Sequence, residues 1–464
     1  MIKRTLTYTS LLTLLFFISC NTSKDKDSAT YFGGKIINPK SKFVTLHSME
    51  KIIDTLFLDE NNSFLSKLDN LNEGLYYFIH GNENQYIYLE PKDSLMLRLN
   101  TWDFDESLVF AGTGAERNNI LIDCFLEEEK DDKATYKFNK LAPKEFKEKT
   151  DSLIRLKLAT YNKYVENHPE ETLGFNNLLK VALTYPIYSR VERYPIMSAK
   201  YSKTKEFPKT DGNFYDYRNE ITINKDSLMY YGPYSKYVKN FLYNTTYALG
   251  HKPMTNEYST SFTNDLLNTI DAKISSTESK NAFLKQTVIG HFYRKSTCNV
   301  DEKAFNNFFK LSTNKDDINQ IRLLLNDSKY LERNKKIIDF TVTDFNNGKY
   351  PIDKVIDNKS TCLLFWNPEY FTKSYISSRI NFLSDKFPEI QFIQIKFDCN
   401  SSDRIHNLDI KNQFFIDKES VANNFLTSKM PRAILIDNNG KIVNAFASIS
   451  SNNIYSQLKE LSKN

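Results

Sequence analysis

This 464-residue chain is poor in the residues that carry much of enzyme chemistry. Its five cysteines, Cys20, Cys124, Cys298, Cys362 and Cys399, include no C-x-x-C pair. Disulfide exchange needs one thiolate to attack a sulfur and a second thiol to resolve the mixed disulfide, so the ordinary dithiol reaction is excluded. The six histidines, His47, His80, His168, His251, His291 and His406, show neither H-x-x-x-H nor Cys/His spacing. They give zinc no support and read as ordinary surface or core residues. There is no Walker A sequence and no G-x-S-x-G, which removes the common phosphate loop and the hydrolase elbow. An excess of one charge is also missing. The 62 basic and 57 acidic residues leave +5, dispersed along the chain, with no footprint for nucleic acid. The apolar run Leu11–Ile18 falls short of the roughly 20 residues that span a bilayer.

What is present is a globular composition, 40% apolar and 14% aromatic, long enough for about three domains. The 28 Tyr and 34 Phe suit cores and half-buried sheet faces, with a glycan-stacking surface as the alternative. Lys3 and Arg4 ahead of Leu11–Ile18 read as an export signal. Phe17-Ile18-Ser19-Cys20 resembles a bacterial lipobox, with Phe17 in place of the usual leucine. The resemblance implies that residues 1–19 are a signal peptide, that Cys20 takes diacylglycerol, and that the membrane is reached through this lipid anchor. Residues 20–30 then form a solvated tether. Lys24-Asp25-Lys26-Asp27 resembles the acidic export signals of some Gram-negative lipoproteins, implying an outer-membrane protein facing the periplasm or the cell surface. A spacer without an address fits the same residues.

Residues 31–116 carry strand signals. Leu95, Leu97 and Leu99 alternate with Met96, Arg98 and Asn100, and short strands recur between turn residues, which predicts an antiparallel β-sandwich. Gly34-Lys35-Ile36-Ile37-Asn38-Pro39, Asp54-Thr55-Leu56 and Gly112-Thr113-Gly114-Ala115-Glu116-Arg117-Asn118 resemble, in this order, the transthyretin-like domain of unknown function that precedes thioredoxin-like domains in many lipoproteins. The glycine pair is no nucleotide fingerprint, because Arg117 occupies the third glycine position. Residues 117–333 are predicted to be an irregular helical region. Pro143 opens an amphipathic helix, and breaks are expected at Thr184-Tyr185-Pro186 and Gly232-Pro233.

Residues 334–464 read as α/β. Thr361–Trp366, a helix over 374–386 and Ile390–Phe397 make a βαβ unit. A helix over 418–426, the strand after Met430-Pro431, the turn Asn438-Asn439-Gly440, a further strand and a last helix follow. The order resembles a thioredoxin-like domain of the TlpA/ResA type. The resemblance implies a cis Pro431 within the loop Met430-Pro431-Arg432, and it places the two redox cysteines at Tyr370 and Lys373, after Phe365-Trp366. Tyrosine supplies no sulfur and lysine resolves no disulfide. Arg432 stands where many relatives have threonine.

The expected fold is therefore multi-domain, and no cofactor or metal is called for. One reading is a lipid-anchored, redox-inactive binding or assembly module for a peptide or protein partner, with Trp366, Tyr370, Phe371 and Pro431 lining a groove. The sequence leaves oligomeric state open. The alternative is a TlpA-like thiol-disulfide oxidoreductase, or a one-cysteine peroxidase acting through Cys399 in the cell envelope. Cys362 and Cys399 lie at opposite ends of neighbouring strands and should not pair.

Overall fold

Where side chains alternate, the backbone follows. The computed structural model describes residues 29–49, 51–81, 83–253, 259–295, 300–367, 371, 373–397 and 411–463. Eight strands come first: β1 (Thr30–Ile37), β2 (Phe43–Ser48), β3 (Lys51–Phe57), β4 (Ser63–Leu68), β5 (Gly74–His80), β6 (Glu83–Leu89), β7 (Ser94–Asn100) and β8 (Val109–Thr113). They form two four-stranded sheets, β4-β1-β7-β8 and β3-β2-β5-β6. Leu95, Leu97 and Leu99 point inward with Phe32, Ile36, Leu46, Phe78 and Ile87, so both sheets share one core. All neighbours are antiparallel except β1 and β7, which run parallel.

The Gly112–Asn118 segment has a mechanical explanation. Gly112 has φ +88°, and a Cβ there would sit 2.0 Å from the carbonyl oxygen of Ser94, so only glycine fits. The chain then enters α1 (Ala115–Thr135). The Asn118 side chain accepts from Tyr88 N at 2.7 Å and donates to Tyr88 O at 2.9 Å. Asn119 does the same for Phe110, at 2.9 and 3.1 Å. Two adjacent amides thereby satisfy backbone groups of β6 and β8, one strand from each sheet.

Helices α2 (Pro143–Asn167), α3 (Leu173–Ser202), α4 (Gly232–Tyr247), α5 (Thr260–Lys273), α6 (Thr277–Lys295), α7 (Lys303–Leu311) and α8 (Lys315–Tyr330) follow. One expected break is absent and the other is present. Pro186 and Pro195 both lie inside α3, so the chain does not break at Thr184-Tyr185-Pro186, whereas Gly232-Pro233 marks the start of α4. An interior proline costs about 3 kcal/mol. Residues Val181 to Ile187 are all buried, and apolar burial of that density outweighs the local preference.

The last part contains β9 (Thr341–Asp344), β10 (Lys349–Pro351), α9 (Ile352–Ile356), β11 (Thr361–Trp366), α10 (Lys373–Lys386), β12 (Gln391–Lys396), β13 (Gln413–Phe415), β14 (Arg432–Ile436), β15 (Ile442–Ala447) and α11 (Asn453–Leu461). One seven-stranded sheet runs β10-β9-β13-β12-β11-β14-β15. β11 is parallel to β12 and antiparallel to β14, and β14 is antiparallel to β15. The predicted βαβ unit and closing hairpin are therefore present. The helix expected over 418–426 is instead a 3-10 turn at Val421–Phe425. The short strand β13 extends the sheet beyond the expected elements.

By contacts the chain divides into two units, residues 1–127 with 170–179, and residues 128–169 with 180–464. The later helices and the C-terminal sheet thus belong to one unit. Phe292 of α6 meets Phe446 of β15 edge to face at 4.8 Å. The carboxylate of Asp327, 1% exposed, accepts from Thr427 N, Thr427 Oγ1 and Ser428 N at 2.9, 2.6 and 3.0 Å.

Candidate functional site

In a sheet with parallel central strands, ligands gather at the strands' carboxyl ends, where loops diverge. Here β11, β12 and β13 end together at that edge. Phe397 N donates to Trp366 O at 3.1 Å, and Ile416 N donates to Lys396 O at 3.2 Å, tying the three exits side by side. Asn367 is 2% exposed, and its amide donates to Lys429 O at 3.4 Å. The turn after β11 is thereby fastened to the loop before β14.

That loop is shaped from both ends. Lys429 takes a left-handed φ of 58°. Tyr293 Oη of α6 donates to Pro431 O at 2.7 Å, and Asp327 holds Thr427 and Ser428. No described peptide bond is cis, so Pro431 is trans, against the expectation from resemblance. The left-handed Lys429 already reverses the chain, leaving the trans preference of about 0.5–1 kcal/mol unopposed.

Two expected site residues are core residues instead. Trp366 is 2% exposed and packs with Leu364, Ile376, Leu383 and Ala447, so it lines no groove. Its position on β11 aims the indole at the helices covering that face. Arg432, also 2% exposed, donates to Phe425 O and lies over the rings of Phe446 and Phe425 at 4.1 and 5.2 Å. Its guanidinium therefore stacks within the fold, away from any substrate-contacting surface. Met430 is buried as well, with 8% exposure. Phe371 is half-buried and stacks on Tyr375 at 5.3 Å and 23°. Cys20, Tyr370 and Cys399 lie outside the described residues, as does the side chain of Lys373.

The two described thiols, Cys124 and Cys362, are both buried. Burial pushes the Cys362 thiol up to about 12, which leaves essentially no thiolate at neutral pH. Among the described residues no group of three His, Cys, Asp or Glu is placed to hold a metal.

The open feature at this edge is a cleft of about 250 Å³ lined by Phe397, Ile416, Asp417, Lys418, Leu426 and Lys429, among others. Phe397, Ile416 and Leu426 supply apolar wall, while the rim carries charge of both signs. The Asn423 side chain pins the rim by donating to Asp417 O and Lys418 O at 3.1 and 2.8 Å. Sequence reading passed over Ile416–Lys418, because the three-residue β13 before it is too short to show a period.

The strand order and directions define the C-terminal part as thioredoxin-like in fold. The solved structures that the chain resembles are of that class. One is a protein described as a thiol-disulfide oxidoreductase from Bacteroides vulgatus, 22% identical, with 29% of this chain covering 99% of that one at a TM-score of 0.25. A second is described as a thiol:disulfide interchange protein from Chlorobium tepidum, at 18% identity, 29% and 99% coverage and TM-score 0.25. A thioredoxin-like protein from Bacteroides caccae, 13% identical, spans 52% of this chain and 89% of its own, at TM-score 0.27. No protein-family profile matches the sequence, and no curated protein matches it.

Proposed function

We propose that the chain is a membrane-anchored envelope lipoprotein whose thioredoxin-like domain binds an extended peptide or protein partner without redox chemistry. The observation that carries this reading is the cleft at the carboxyl ends of β12 and β13 beside the Lys429–Pro431 loop. By the resemblance of the sequence, Tyr370 and Lys373 stand at the two redox positions of this domain. A cleft with apolar walls and a charged rim suits alternate side chains of an extended segment, whose backbone can pair with exposed loop groups. Cys20 supplies the lipid anchor in this proposal.

The test is binding of a library of extended peptides to the mature protein, read by fluorescence polarisation. Binding that falls at least tenfold in Lys418→Glu or in Tyr370→Ala/Phe371→Ala supports the cleft; unchanged binding in both counts against it. Disulfide-reductase or peroxidase turnover that disappears in Cys399→Ser would establish the enzymatic reading instead. Fatty-acid labelling of the intact protein should vanish in Cys20→Ala.

A further inference from the structure

We infer that the helical part of the second unit holds a second binding site, for a small aryl carboxylate, independent of the cleft beside β13. Between α2, α3 and α4 lies a cavity of about 240 Å³. On a liquid-water share of about 30 Å³ that is room for roughly eight non-hydrogen atoms, an aryl body with its head at the mouth.

Its floor is apolar and preformed. Phe146, 2% exposed, stacks on Tyr194 at 3.9 Å and lies 6.2 Å from Phe214 in near-parallel arrangement. The Tyr194 hydroxyl is in turn fixed by donation to Leu141 O at 2.7 Å. Ile187, 1% exposed, and Leu153 close the apolar end.

The mouth is cationic. Arg190, Arg193 and Lys236 line it with the carboxylate of Asp132, and Lys236 is also paired with Glu128 at 3.3 Å. Asp132 is committed: Arg190 Nε donates to it at 2.9 Å, and Lys236 Nζ lies 3.6 Å away. Burial would raise its carboxyl, but the charges of Lys236 and Arg190 outweigh that and hold it below the ordinary range. Arg193 has a different neighbour, the Met197 sulfur at 3.8 Å, and meets no carboxylate among the described residues. An aromatic floor beneath an uncompensated guanidinium matches a ligand with an aromatic body and an anionic head, which arginine can take as a bidentate pair.

The probe is phenylacetate, titrated into the full mature protein by calorimetry, with phenethylamine as an aryl body that carries a cation in place of the anion and acetate as the anion without the body. Phenylacetate should bind with a dissociation constant of about 0.1–1 mM, a reasonable ceiling for ten atoms. Phenethylamine and acetate should each bind at least tenfold more weakly. Arg193→Gln, on an exposed position, should lose at least tenfold, and Arg193→Lys should recover part of it. Leu153→Trp, which fills the cavity, should abolish binding while the circular-dichroism melt of each variant shows it folded. Equal binding of phenethylamine, undiminished binding in Arg193→Gln, or no binding of phenylacetate up to about 10 mM overturns the inference.

Discussion

Three carboxylates share one guanidinium in the first unit. Arg117 Nη1 lies 2.9 Å from Glu90 and 3.3 Å from Asp93, and its Nε lies 3.3 Å from Glu171. Burial is the main force on Asp93; it outweighs Arg117 and the Glu90 amide and raises the carboxyl from 3.8 to about 6. The folded state therefore binds a proton more tightly than the unfolded chain. This contribution is fully present below pH 4 and is lost as pH rises through about 6, costing roughly 1–3 kcal/mol at 1.36 kcal/mol per unit. Denaturant melts from pH 4 to 7 should show that decline, and Asp93→Asn should flatten it. A wild-type slope that persists in Asp93→Asn would refute the assignment.

A second residue-scale prediction concerns Glu192, fully buried on α3. Arg218 Nε donates to it at 2.8 Å, with Tyr217 Oη and Asn244 Nδ2 each at 2.7 Å. Removing the cation alone leaves a buried charge without its counter-ion. Arg218→Met should therefore destabilise by about 3–5 kcal/mol, while Glu192→Met/Arg218→Met should restore most of it. Equal losses in the single and double variants, measured by chemical denaturation, would contradict this.

At the scale of elements, the sequence was most legible where one face is buried and least where a long-range partner decides. Period two in Leu95–Leu99 gave the strand and its inward face directly. β13 could not be read this way, since its three residues are ordered by pairing with Gln394–Lys396 on one side and Thr343–Asp344 on the other. α3 shows the same limit from the opposite direction, because its prolines argue locally against the helix that tertiary burial maintains. At the candidate site the turn and the loop are legible in the sequence, but the inward facing of Trp366 is not, as it depends on which helices cover the sheet. The Gly112–Asn118 motif was noticed without its cause, which is the bonding of Asn118 to β6. Asn118→Ala leaves the buried Tyr88 amide and carbonyl without those bonds. It should cost about 2–4 kcal/mol at one to three per lost partner, less what relaxation recovers. A loss below 1 kcal/mol in denaturant melts would show that the helix does not depend on it.

At the scale of the molecule, the later helices and the thioredoxin-like sheet fall in the same unit. The seam is partly apolar, at Phe292 on Phe446, and partly polar, at Tyr293 on Pro431 and Asp327 on Thr427 and Ser428. The segment that follows α8 is itself paired to β15, with Asn334 N donating to Ile442 O at 2.8 Å and Ile442 N to Lys335 O at 2.9 Å. Helices joined to a sheet by contacts of both kinds should open with it rather than before it. Native-state hydrogen exchange should therefore give the amides of α6 and α8 the same opening free energy as those of β11 and β12. Asp327→Ala, which takes the acceptor from Thr427 N and from the buried Ser428 N, should lower both sets together by about 1–3 kcal/mol. If α6 and α8 instead exchanged at a lower free energy, and Asp327→Ala moved only the 427–431 loop, the helices would be a separate folding unit resting on the sheet. The loop beside the cleft would then be held by local contacts alone.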